Sequence, residues 1–140
     1  MMKTIRFRRS LAAMLMFGAG LSVAYADMPP VQHQGPVTFV SGGVGQDESD
    51  SMKAAEKDYS LTLLFAQRQG TESVYTADVP VTITDSKGAT VLQTTTKGPY
   101  LLVQLPPGSY KISSTYNGKE MVHQATVSKG SHSRAVFEWQ

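Results

Sequence analysis

The chain has 140 residues, 13 lysines and arginines against 11 acidic residues, and no cysteine. That length allows one ordinary domain. The missing thiol excludes a disulfide framework, a thiol nucleophile, a lipid-modified cysteine and any cysteine-ligated metal or haem.

The first segment accounts for the positive balance. Lys3, Arg6, Arg8 and Arg9 precede an apolar, small-residue run from Leu11 to Val23, and Ala24-Tyr25-Ala26 has the A-x-A form of a cleavage site. Residues 1–26 are expected to be a secretory signal peptide cleaved after Ala26, since the apolar run is shorter than the roughly 20 residues of a transmembrane span. Arg8-Arg9 also resembles a twin-arginine signal, but general secretion needs fewer assumptions. Without these residues, 9 basic groups (13 − 4) face 11 acidic ones, a net charge of −2. The basic balance therefore gives no reason to expect nucleic acid as a partner. The product is expected in the periplasm, or secreted, with no stable membrane insertion after cleavage.

Residues 27–58 read as an N-terminal segment. Asp27 to Pro36 is polar and proline-rich, hence an extended lead-in. Val37 to Val40 has the composition of a short strand, and a Gly-rich, acidic loop follows. A short helix is expected from about Glu48 to Asp58, capped by Asp47 or Ser49, with Met52, Ala55 and Tyr59 on one face.

From Tyr59 the period becomes two. Strands are expected at Tyr59–Phe65, around Val79–Ile83 with Pro80 marking an edge or bulge, and at Ala89–Thr96. Four more follow: Leu101–Leu105, Tyr110–Tyr116, Lys119–Ser128 and Ser133–Trp139. Asp85 to Gly88 fits a type I turn, Pro107-Gly108 the centre of a type II turn, and Asn117-Gly118 a type I′ hairpin. Seven short strands and one short helix predict an all-β, seven-stranded antiparallel β-sandwich over residues 59–140.

Gly98, Tyr100, Leu105, Pro106, Pro107, Gly108 and Tyr110 match a pattern G-x-Y-x-x-x-x-L-P-P-G-x-Y. Together with DSKGATV, the Asn117-Gly118-Lys119 turn and a closing strand through Phe137 and Trp139, it resembles carboxypeptidase regulatory-like domains, small sandwiches of the transthyretin-like (prealbumin-like) type. The resemblance covers roughly residues 59–139. VTFVSGGVGQDES is similar to a feature of small, signal-bearing proteobacterial proteins of this group. The resemblance implies a fold and leaves function open. It also implies one enzymatic alternative, the 5-hydroxyisourate hydrolases, whose closing Tyr-Arg-Gly-Ser has no counterpart in Val136-Phe137-Glu138-Trp139-Gln140.

Chemistry is sparse. Gly42, Gly43 and Gly45 beside Asp47, Glu48 and Asp50 are the best candidates for a specific contact. They lack the Lys and Ser/Thr of a phosphate loop and the ligand alternation of a calcium loop. His33, His123 and His132 have no metal-ligand spacing, although His123 and His132 lie near one another in sequence. Asp78, Asp85, Glu120 and Glu138 fall in turns or on polar strand faces, and no serine sits in a nucleophile elbow. Among the aromatics, Tyr110 and Trp139 read as core or tyrosine-corner residues, whereas Tyr75 and Tyr100 are free to stack on a ligand. No catalytic residue, metal or cofactor is expected. The expected role is binding, with an envelope protein or a small ligand as partner, or structural pairing through a sheet edge.

Overall fold

The computed structural model describes residues 28–140; the expected signal peptide and its cleavage after Ala26 lie outside the described residues. In chain order the elements are β1 (Gln32–Gln34), β2 (Val37–Gly42), α1 (Gln46–Ala55), a 3-10 turn (Glu56–Asp58), β3 (Leu61–Gln69), β4 (Glu72–Tyr75) and β5 (Pro80–Asp85). They continue with β6 (Thr90–Thr95), β7 (Tyr100–Gln104), β8 (Gly108–Tyr116), β9 (Lys119–Val127) and β10 (Ser133–Trp139). One sheet runs β1-β2-β7-β3-β10, with β4 paired to the far end of β3; the other runs β6-β5-β8-β9.

The alternation seen in the sequence is what joins these layers. Phe39, Leu61, Leu63, Phe65, Leu101, Val103 and Phe137 from the first sheet meet Val81, Ile83, Leu92, Tyr110, Ile112 and Val127 from the second in one buried cluster. The rings of Phe65, Phe137 and Trp139 cluster, with centroids 5.2 Å (Phe65–Phe137), 6.0 Å (Phe137–Trp139) and 6.3 Å (Phe65–Trp139) apart. The opposite face of the first sheet carries a second, smaller core, where Met52 and Ala55 of α1 cover Val40, Leu64, Tyr100 and Leu102. A mean-apolar strand such as β7 is thus buried on both faces, which is why its sequence reads as a nearly continuous apolar run.

Four expectations are corrected. There are ten strands among the described residues, not seven. Of the three beyond the seven, β2 contains the short strand expected at Val37–Val40, while β1 and β4 are exposed at every position, so no face is buried and no alternation marks them. Second, the sheets are not purely antiparallel, because β10 runs parallel to β3, Ser133 beside Leu61 through Trp139 beside Gln67. Third, residue 58 is no structural boundary: β2 pairs with β7 from Thr38–Gln104 to Gly42–Tyr100, inside the first sheet. The lead-in likewise holds β1 against β2. Fourth, β5 lies between β6 and β8, so Pro80 is not on an edge; it is the first residue of its strand, where a missing N–H is tolerated.

The turns divide in the same way. Asn117 and Gly118 have φ of 51° and 76° and join β8 to β9, as a type I′ turn requires. The Gly88 N–H donates to the Asp85 carbonyl at 3.0 Å, closing the Asp85–Gly88 turn. Pro106-Pro107, by contrast, close no hairpin, because β7 and β8 belong to different sheets. Gly108 has φ of 159°, far from the roughly +80° of a type II turn, and opens β8 opposite Val127. The Tyr110 hydroxyl donates to the Pro106 carbonyl at 2.6 Å, tying the crossover to the strand it enters.

At the flank where β1 meets β6, Gln34 stitches the layers together. Its side-chain amide donates to the Gln93 carbonyl at 3.1 Å and accepts from the Gln93 N–H at 2.8 Å, so it occupies the free edge of β6 as a strand would. Gln34→Leu is expected to cost about 1 kcal/mol and to speed hydrogen exchange of the Gln93 amide; unchanged exchange would show the edge to be protected by other means.

Candidate functional site

The six residues expected to bind are split by the fold. Gly42 and Gly43 are buried, whereas Gly45, Asp47 and Asp50 are exposed. A Cβ on Gly42 would sit 2.5 Å from Pro29 Cγ, and one on Gly43 would sit 2.7 Å from the Tyr100 ring. These two glycines therefore serve close packing. Glu48 turns back from the first turn of α1, and its Oε1 accepts from the N–H groups of Gly43 at 2.7 Å and Val44 at 3.1 Å. The helix begins at Gln46, earlier than expected, with Gly45 as its N-cap and no side-chain cap. Glu48 satisfies two preceding backbone donors instead, so the Gly43 and Val44 amides of the glycine loop are already engaged. Asp50 accepts from Gln46 Nε2 at 2.8 Å, so the three acids diverge.

Other chemistry-bearing residues mostly make local contacts, although His123 Nε2 is buried with no hydrogen-bond partner among the described residues. Glu120 accepts from Ser113 Oγ at 2.6 Å, and Glu138 pairs with Arg68 at 3.8 Å and accepts from Ser73. His123 packs edge-on against Phe137 with centroids 4.4 Å apart. Among the described residues no group of three or more His, Cys, Asp or Glu is placed to hold a metal.

Tyr100 is a correction. Expected to be free for stacking, it is fully buried beneath α1, and its hydroxyl has no hydrogen-bond partner among the described residues. Tyr75 is half exposed, 6.3 Å from Tyr100 and edge-on to it. Burial, with smaller contributions from Tyr75 and Glu56, pushes the Tyr100 phenol above its ordinary pKa; burial also raises Tyr59 and Tyr110. Unfolded phenols ionise near pH 10, so the folded state favours the neutral form and loses stability as the pH rises through that value toward the raised ones. Tyr100→Phe is expected to leave the urea midpoint at pH 7 nearly unchanged and to reduce its fall above about pH 10. An alkaline fall identical to that of the wild type would show that Tyr100 does not contribute.

The concave region lies elsewhere, around Tyr59. An apolar cavity of about 480 Å³ is lined by Met28, Pro29, Val31, Thr38 and Ala55. A more polar cavity of about 370 Å³ is lined by Lys57, Ser128, Lys129, Ser131 and His132. Asp58, Tyr59 and Gln104 belong to both, so the cavities adjoin. Both volumes fall in the roughly 300–1,000 Å³ range of small-molecule sites.

This region is rigidly built. The Ser60 N–H donates to Gln104 Oε1 at 2.9 Å, and the Ser60 hydroxyl accepts from the Leu105 N–H at 2.8 Å. His132 Nδ1 donates to the Tyr59 carbonyl at 2.8 Å, which leaves Nε2 to accept from Thr62 Oγ1 at 3.1 Å in the neutral ring. Glu56 Oε1 lies 3.6 Å from that nitrogen and 3.5 Å from Arg134 Nε. Residues from five separate stretches build the groove, and among them Ala55 and Tyr59, as helix-face residues, and His132, as a histidine, carried a sequence signal.

No family model matches the chain, and no curated protein does. Among solved structures, a crystal structure of S.CueP is similar at 15% identity over 88% of this chain and 86% of that one, with a TM-score of 0.38. That likeness is too distant to carry an argument.

Proposed function

We propose that the chain is an exported, non-catalytic binding protein whose ligand occupies the groove around Tyr59. The observation that carries this reading is the pair of adjoining cavities with contrasting walls, held by Ser60, Gln104 and His132. Export to the periplasm rests on the pattern of residues 1–26. A carboxypeptidase regulatory-like, transthyretin-like domain is proposed from the G-x-Y to L-P-P-G-x-Y pattern; strands β3 and β5–β10 supply seven strands of such a sandwich. A hydrolase of the same fold group has less support, because the closing motif is missing from the sequence and the hydroxyl paired to an imidazole at the groove, Thr62 to His132 Nε2, is fully buried and does not line it.

Deleting the glycine-containing segment is a poor test, since it removes β2 from the interior of a sheet. The better one equilibrates the purified chain with a small-molecule extract of a bacterial envelope and identifies retained compounds by mass spectrometry. Retention by wild type and loss in Tyr59→Ala is the expected result. Retention unaffected by Tyr59→Ala but abolished by changes at Asp47 and Asp50 would move the site to the acidic turn.

A further inference from the structure

Resting on the groove reading above, we propose that the ligand is an amphipathic carboxylate. Its apolar body lies against Met28, Val31 and Ala55, and its charged end faces Lys57 and Lys129. The two adjoining cavities differ in chemistry: the larger is walled mainly by apolar side chains, and the smaller presents two ammonium groups, serine hydroxyls and one carboxylate. Lys57 and Lys129 against Asp58 leave that rim at +1 (2 − 1). Neither lysine takes part in an ion pair among the described residues. The remaining charged groups nearby are already committed, Glu56 to Arg134 and His132 to the Tyr59 carbonyl. Tyr59 lines both halves, and a phenol, neutral at pH 7, adds no opposing charge there.

An inorganic anion leaves the apolar cavity unused, and a hydrocarbon leaves the lysines unpaired. A molecule that joins an apolar chain to a carboxylate satisfies both. Asp58 opposes it from the shared wall, which makes that residue a diagnostic position.

The test is calorimetric titration of the purified chain with hexanoate, octanoate and decanoate, with acetate and decyltrimethylammonium as controls, and amide shifts to locate binding. Affinity is expected to rise by about tenfold for each two methylenes added. Acetate and the cation should bind at least about tenfold more weakly than decanoate. Shifts should gather at Val31, Ala55, Tyr59 and Lys129. Lys129→Gln is expected to weaken decanoate by about tenfold and Asp58→Asn to tighten it about threefold; a merely structural role for Asp58 predicts no tightening. Equal binding of decanoate and the cation, or indifference to both substitutions, overturns the proposal. So does absence of decanoate binding. In that case, Tyr59-dependent retention of envelope compounds would keep the groove and reject only the ligand class, whereas its loss would reject both.

Discussion

Gly98→Ala is expected to lower stability by about 3 kcal/mol or more, seen as a fall of roughly 10 °C in Tm. Gly98 is buried in the turn that brings the chain from β6 into β7, against the end of β2. A Cβ there would overlap the Gly42 carbonyl group, 2.5 Å from its carbon and 3.0 Å from Gly42 Cα. Backbone cannot rotate away as a side-chain tip does, so either β2 or the turn must move. The same junction is clamped by Ser41, whose hydroxyl accepts from the Lys97 N–H at 2.8 Å and donates to the Tyr100 carbonyl at 3.1 Å. Any shift therefore breaks polar contacts as well. Gly70 is the comparison, because nothing lies within 4 Å of a Cβ at that position; Gly70→Ala bears only the strain of its φ of 65°, about 1 kcal/mol. Equal melting temperatures for the two variants would refute the close approach.

Glu48→Ala should produce the next largest loss, about 2 kcal/mol. The cost arises from the Gly43 N–H, which is left buried with no acceptor, while the exposed Val44 N–H regains water. Loss of a carboxylate from the first turn of α1 adds a few tenths of a kcal/mol through the helix dipole. Glu48→Gln retains an acceptor oxygen and is expected to recover more than half of the loss in chemical denaturation. A Gln variant as unstable as the Ala variant would show charge, not the acceptor, to be the important property.

Glu48 also illustrates what can be read from residues alone. An acid beside three glycines is visible as a possible contact, but its partner is not. The same group is compatible with a ligand site and with an internal cap, and only the path of the chain decides. Strands with one buried face, such as β5 and β8, announce themselves by alternation. Those with no buried face, β1 and β4, have nothing to announce. Alternation also says which residues are inside without saying which strand lies beside which. For that reason Pro106-Pro107 reads as a hairpin turn when it carries the chain between sheets, and Ser133–Trp139 reads as antiparallel when it runs parallel to β3. Tyr100 looked free because glycine and proline precede it, and the helix that covers it is weakly apolar. The Tyr59 groove draws on Met28–Val31, Thr38, Ala55–Ser60, Gln104–Pro107 and Val127–His132, most of them separated by long intervals, so no local spacing could reveal it.

The parallel pairing of β3 with β10 bears on how this protein folds. Leu61 and Ser133 stand side by side although 72 residues (133 − 61) separate them. Joining them closes one of the largest loops the described chain permits, and the entropy of that closure must be met before the contact gives anything back. Hairpins such as β5–β6 and β8–β9 can form early and locally. The first sheet cannot be completed until residue 139 has been made, so a nascent chain lacks Phe137 and Trp139, the β10 share of its core, until the last strand arrives. Folding on the millisecond-to-second scale is expected for such a topology, with β3 unprotected at its β10 edge throughout the interval.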